Sequence, residues 1–374
     1  MVSSVFSVFS LEKEKEPRSE EKDEDKNEDI NKNDTHTLVL YALAVFFFFG
    51  LHNLLQEAIM KYPGFKWGLM LGYLEVLGVT VFTHIERKIV SNTTTSNTTT
   101  TSSSSTPKPQ PPKRVASLKS YGLLTFLLMS SSSLSNTSLN YINYPTKVIF
   151  RSCKLLPTMA LAVLINAKTF TTLEYTCALS ICVGLVIYAF SDSQDPATFS
   201  PHGVLLVCLS VLADAALPNA QERLFKLGAS RSEVTYYTNV LVLTAMTVAA
   251  GGGGDLKATV FFCWDNPGVG PYLIGYTVVS YLAVTAHMMT IKRFEAVTAV
   301  LVGTGRKAVT IFVSFLVFPK PMGWGHVVGT ALVLGGITGN GLGKGKRKGK
   351  GKYYDKGKGG GGIGKRGRSG SGGV

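Results

Sequence analysis

Charge is what this sequence has little of. Only 17% of its 374 residues are Asp, Glu, Lys or Arg, against about 25% in soluble domains. The shortage is sharper than that average, because the ends hold much of the charge. Residues 1–34 carry 6 basic and 11 acidic side chains, and residues 344–374 carry 11 basic and one acidic, leaving 21 basic and 12 acidic groups for the 309 residues between. Cysteine is scarce too. Cys153, Cys177, Cys182, Cys208 and Cys263 form no CxxC, and an odd number within apolar runs excludes a disulfide scaffold and reads as small buried hydrophobes. Signatures of intramembrane chemistry are missing: there is no paired-aspartate protease arrangement, no H-E-x-x-H and no Ser/His pair at matched depth. An enzyme is therefore not expected, nor a cofactor, and the histidines at 52, 84, 202, 287 and 326 have no metal-ligand spacing. The N-terminal MVSSVFSVFSL lacks the basic region of a cleavable signal peptide, so the first span is expected to do the targeting.

What is abundant is apolar mass: 45% of residues are hydrophobic and the mean hydropathy is +0.20. With the charge at the ends, this composition indicates a membrane-embedded core between two solvated tails. A helix needs about 20 mainly apolar residues to cross a bilayer. Ten segments qualify: 36–58, 67–86, 118–139, 145–166, 172–190, 201–223, 234–250, 271–290, 294–318 and 322–342. The fold class read from the sequence is thus an all-α polytopic membrane protein. Residues 1–35 and 343–374 are expected to be disordered tails, and 91–112 a low-complexity linker.

Orientation follows the lysine and arginine bias of the loops. One set of loops holds twelve such residues and the other holds four, Lys61, Lys66, Lys257 and Lys320. With the basic C-terminal tail on the richer side, both termini are cytosolic. The linker sequons at Asn92 and Asn97 then face the cytosol and stay unmodified. The Lys/Gly-rich tail reads as a topology anchor against anionic lipid rather than a nucleic-acid arm.

The chain also repeats itself. HNLLQEAIMKY closes the first span and LPNAQERLFKL the sixth, while FRSCKLLPTMALAV in the fourth parallels GTGRKAVTIFVSFL in the ninth. Residues 36–190 and 201–342 therefore read as two five-helix units. An odd number of spans per unit inverts one against the other, the arrangement of many secondary transporters.

Basic groups inside spans carry the functional signal. Lys147, Arg151 and Lys154 fall on one helix face, with Lys154 about 15 Å below the lumenal end at 1.5 Å per residue. Arg306 and Lys307 lie near the middle of the ninth span. A cation at the bilayer centre costs about 2.5–3.5 kcal/mol, so Arg151, Lys154, Arg306 and Lys307 together oppose insertion by roughly 10–14 kcal/mol. Facing lipid is excluded; they face either carboxylates, of which Glu75 and Asp214 are mid-span, or an anionic substrate. Lys147 is shallow enough to snorkel. Gly303 and Gly305 around Thr304 are expected as sites of close helix approach or unwinding, since no strand precedes them as in a nucleotide-hydrolase loop. Gln56–Glu57 and Gln221–Glu222 are candidate gates at opposite mouths of the cavity, each glutamate bonding a cavity cation in turn. Tyr236 and Tyr237 are candidates for stacking on a base.

The segments YPTKVIFRSCKLLPTMA, LADAALPNAQERLFKLGAS and GTGRKAVTI resemble the nucleotide-sugar transporter family. The nearest branch is that of the Golgi transporters of 3′-phosphoadenosine 5′-phosphosulfate, and the S-C-K-L-x-P run resembles the second of its two types. The resemblance covers roughly residues 36–342. It implies ten spans in two inverted five-helix repeats (a drug/metabolite transporter-like fold), a Golgi membrane and antiport of the phosphosulfate against adenosine 3′,5′-bisphosphate for lumenal sulfation. It also implies that the substrate cations are Arg151, Lys154, Arg306 and Lys307, with Arg151 standing where lysine is the familiar residue. The ATP/ADP exchangers of the endoplasmic reticulum share these motifs, so another nucleotide or UDP-sugar carrier there or in the Golgi is the alternative. The partners implied are an anionic nucleotide and the lipid bilayer.

Overall fold

The computed structural model describes residues 24–65, 68–98, 114–192, 200–251, 255–317 and 323–340. Two units divide the chain at Leu40: of the first, residues 24–40 are described as helix, and the second runs from Tyr41 onward. Among the described residues the secondary structure is helical, with no strand. In chain order the helices are α1 Glu24–Met60, α2 Gly68–Thr98, α3 Leu118–Ser138, α4 Tyr144–Ser152, α5 Leu155–Asn166, α6 Thr172–Asp192, α7 Pro201–Lys226, α8 Arg231–Gly251, α9 Asp255–Asp265 and α10 Gly270–Val317. A last helix, α11, covers 324–340.

The sequence boundaries need three corrections. Helix α1 begins at Glu24, so residues 24–35 are helical rather than part of a disordered tail. Helix α2 runs to Thr98 and takes up the start of the expected linker. Helix α9 occupies a loop in which no helix was expected. Residues 99–113 and the tail from 341 onward lie outside the described residues.

Two breaks shape the spans. The expected span 145–166 is divided into α4 and α5, bent by 41°. Asn143 caps α4 by accepting from the Thr146 N–H at 3.2 Å. Pro157 ends it: the proline has no N–H and its ring crowds the carbonyl four residues earlier, that of Cys153. Cys153 N–H turns instead to the Phe150 carbonyl at 3.2 Å, a tighter i−3 bond, and α5 restarts after Lys154. The second break lies in α10, where spans 271–290 and 294–318 join through Glu295 alone, at φ 72° and ψ 164°. The helix is continuous through Gly303–Gly305, so the expected unwinding falls earlier, at Glu295.

By length and composition, four of the described helices can cross a bilayer: Thr35–Met60, Thr172–Ser191, Pro201–Lys226 and Pro267–Arg306, with the bent pair α4–α5 as a fifth. Beside clusters of buried bulky side chains, some helices approach closely at small residues, as in membrane helix packing. A Cβ on Gly184 would stand 2.7 Å from the Gly329 carbonyl oxygen, and one on Gly329 the same distance from that of Gly184, so α6 and α11 touch backbone to backbone. Helix α3 packs along α7, and α2 along α8 and α10. Trp264 and Trp324 are each 85% exposed near helix ends on the expected lumenal side, where interfacial tryptophans belong.

Two buried carboxylates outside the central site are well satisfied. Arg231 bonds Glu86, which also accepts from Tyr281 Oη at 2.8 Å. Glu233 accepts from Tyr121 Oη at 2.6 Å and from the Val115 N–H at 2.8 Å. All five cysteines are free thiols, with Cys177 and Cys182 buried.

Candidate functional site

Because Pro157 breaks the fourth span at Cys153–Lys154, the two cations around the break can turn inward together. Arg151, in the last turn of α4, and Lys154, the residue before α5, converge on one acid in α7. Arg151 Nη2 lies 3.3 Å from Asp214 Oδ2 and Lys154 Nζ 2.9 Å from the same oxygen. Arg151 also donates through Nη1 to Ser135 Oγ in α3 at 2.9 Å. One carboxylate thus serves two cations. Asp214 belongs to the candidate site, although the sequence placed it only among the mid-span acids.

Two chambers meet here. The smaller, about 260 Å³, is lined by Arg151, Lys154, Asp214, His287, Thr304 and Arg306 among others. The larger, about 650 Å³, is mainly apolar and includes Glu75, Asn136, Gln221, Thr238 and Asn239 in its wall. Phe49, Lys154, Asp214 and His287 border both. Arg306 enters the smaller chamber from α10 with its guanidinium 4.7 Å from the centroid of the Phe49 ring, a cation–π contact that fixes the side chain. The backbone of Lys307 is helical, and its side chain lies outside the described residues. Of the four deep cations, the structure therefore brings Arg151, Lys154 and Arg306 to one cavity.

The other candidates are placed differently. Lys147 lines neither chamber; its Nζ lies 3.4 Å from Oδ1 of Asn136, a residue in the wall of the larger one. Tyr236 and Tyr237 are held elsewhere: Arg87 lies 5.2 Å from each ring centroid, Tyr237 stacks on Tyr121 and Tyr236 on His84. Both rings thus pack between α2, α3 and α8, away from the residues that line the two chambers. Gln56 is exposed, and Glu57 pairs with Lys61 one turn on at 2.5 Å, both side chains in the open. Glu57 bonds no cavity cation, because a nearer cation on its own helix claims it.

Glu222 is engaged, though by partners other than the cavity cations. It is buried at the end of α7, where Lys168 Nζ lies 2.7 Å and Lys226 Nζ 2.9 Å from Oε1, and the Ala296 N–H donates to Oε2 at 2.8 Å. Lys168 also pairs with Glu295 at 3.0 Å. Gln221 turns the other way, into the larger chamber. Beside them Asn219, fully buried, donates to the carbonyls of Thr158 and Ala215, both at 3.0 Å, tying α5 to α7. The Asn-Gln-Glu segment thus divides into a helix tie, a cavity wall and an ion-pair anchor.

Comparison with known proteins gives the chain a family. Residues 37–343 match the model of the UAA transporter family. The chain belongs to this family. Among its relatives, the mouse "Adenosine 3'-phospho 5'-phosphosulfate transporter 2" is 34% identical over 296 residues, 78% of this chain and 75% of the mouse protein. The human protein of that name is 34% identical over 300 residues, 78% of this chain and 69% of its own. The Aedes aegypti protein of that name is 32% identical over 308 residues, 82% and 76% respectively. A solved crystal structure aligns with a TM-score of 0.58 at 10% identity, over 82% of this chain and 97% of its own. That likeness concerns the fold alone. Membership of the UAA family and the names of these relatives agree with the sequence resemblance to the second type of phosphosulfate transporter, and they indicate a transporter rather than an enzyme.

Proposed function

We propose that the chain is an antiporter that carries 3′-phosphoadenosine 5′-phosphosulfate from the cytosol into the Golgi lumen and returns adenosine 3′,5′-bisphosphate. In this reading ten spans form two inverted five-helix repeats, with both termini cytosolic and the cavity between the repeats. The observation that carries it is the shared carboxylate: Arg151 and Lys154 divide one Asp214 oxygen at the helix break, with Arg306 across the same chamber. A cation excess in a cavity favours a polyanion. Arginine offers a planar fork to phosphate or sulfate and lysine a point charge.

The substrate suits the two chambers. A monoester phosphate carries about −1.5 to −2 at neutral pH, and with the phosphosulfate group the ligand reaches roughly −4. Its charged end fits the smaller chamber, and the adenosine fits the larger one, whose apolar wall is interrupted by Asn136, Gln221 and Asn239. Amides at such positions can read the edge of a base while apolar neighbours cover its faces. The returning bisphosphate has nearly the same charge, so exchange is close to electroneutral. An empty, cation-rich cavity resists reorientation, which makes exchange obligatory.

Exchange in liposomes tests this. Vesicles loaded with adenosine 3′,5′-bisphosphate are offered labelled phosphosulfate, ATP, UDP-sugars and GDP-mannose separately. Selective uptake of the phosphosulfate is expected; preference for ATP or a UDP-sugar would assign the chain to another branch of the family.

A further inference from the structure

Asp214 is the fourteenth residue of α7, in the middle of its 26. Pro218 follows four residues later and has no N–H to give the Asp214 carbonyl, so the acid stands where the helix ladder is already loosened. Its Oδ2 accepts from the same two side chains that an incoming phosphate or sulfate oxygen would need, at 3.3 and 2.9 Å. Together with Lys154 it borders both chambers. A purely structural partner for a buried cation would more economically pair one to one. Here one charge holds two cations in a cavity that also contains Arg306.

We propose that Asp214 is a resident competitor of the substrate: it holds Arg151 and Lys154 in the empty carrier, and the substrate anion takes them from it. This rests on reading the cavity as an anion-exchange site. A carboxylate offers one unit of charge and two oxygens. A terminal phosphate brings up to two charges and three oxygens, enough to fill the arginine fork and the lysine together. The exchange is therefore favourable but discounted, since the cations are never bare when the anion arrives. The discount works on both faces of the membrane. It weakens binding and in the same measure speeds release, so Asp214 is a positioning residue that trades affinity for turnover.

The experiment compares full-length wild type with Asp214→Asn and Asp214→Glu in liposomes, and measures binding of adenosine 3′,5′-bisphosphate to the purified proteins. Asp214→Asn keeps the size and loses the charge. It is expected to bind about tenfold tighter, equivalent to about 1.4 kcal/mol and to the lower end of a charge-assisted hydrogen bond. Exchange should show KM and maximal rate both falling about tenfold. Asp214→Glu, which restores the competing charge, should move both back toward wild type. Asp214→Ser serves as a second neutral variant in case the amide does not fold. Unchanged or weaker binding by the neutral variants, beside a wild type that exchanges normally, overturns the competitor role and leaves the transport reading standing. A wild type that neither binds nor exchanges the bisphosphate overturns the transport reading, and this proposal with it.

Discussion

Replacing Glu222 by glutamine probes the end of the molecule where α5, α7 and α10 are tied together. Glu222 is 3% exposed and holds three donors, Lys168 Nζ, Lys226 Nζ and the Ala296 N–H. The amide oxygen of glutamine can still serve Ala296, so that bond is kept. Lys226 is half in solvent, 51% exposed, and such a pair contributes at most about 1 kcal/mol. Lys168 is 11% exposed, and losing a buried charge-assisted bond costs about 1.5–3 kcal/mol. Glu295 still compensates part of the Lys168 charge, so the expected destabilisation is about 2–3 kcal/mol. Glu222→Ala in addition leaves the Ala296 N–H without its acceptor and should approach the 3–5 kcal/mol typical of a broken buried pair. Reversible unfolding in mixed micelles with rising SDS measures the stability. Hydrogen–deuterium exchange over residues 162–171 and 290–298 locates the change. Stability within about 0.5 kcal/mol of wild type, the level of an ordinary surface change, with exchange in both segments unaltered, would refute the idea that this cluster ties the helices together. Lys226→Ala, removing only the exposed partner, should cost less than about 1 kcal/mol.

Four further outcomes are expected. Lys154→Ala and Lys307→Ala should each abolish phosphosulfate uptake while leaving membrane insertion intact, measured by exchange in liposomes and by yield of monodisperse protein. Phe49→Ala removes the ring 4.7 Å from the Arg306 guanidinium, a contact of about 0.5–2 kcal/mol, and should raise KM by roughly 2- to 30-fold with little loss of protein. Gly184→Val forces a side chain where a Cβ already meets the Gly329 carbonyl oxygen at 2.7 Å; it should sharply reduce folded yield, whereas Gly122→Ala, with no neighbouring atom within 4 Å, should not. Asn92 and Asn97 should remain unglycosylated in cells, as read by glycosidase-insensitive migration, and a glycan on either would reverse the orientation.

The expected spans largely coincide with helix because lipid demands long apolar segments and the sequence supplies them. The pairing of side chains was less legible. Asp214 stands more than sixty residues from Arg151, and nothing local to either says that they share an oxygen with Lys154. The break before α5 has a local cause in Pro157, yet the apolar run continues across it, so 145–166 read as one span. The break at Glu295 has no local cause at all. It lacks glycine and proline, and the Ala296 N–H it releases is taken by Glu222, 74 residues away. Glu57 shows the opposite case: Lys61 at i+4 was visible in the sequence and outcompetes a distant partner. The contact of the tyrosine pair with Arg87, a loop cation by sequence count, was not legible either.

A single residue in an extended, left-handed conformation joins the two long arms of α10, and this has a mechanical consequence. Arg306 stands eleven residues beyond Glu295, about 16 Å along a rigid arm at 1.5 Å per residue. A swing of about 10° at that pivot carries the Arg306 backbone roughly 3 Å over such a length, as far as a hydrogen bond is long. Glu295 is itself paired with Lys168, so the pivot and the cation in the smaller chamber are joined by one stretch of helix, and a turn at the first would be felt at the second.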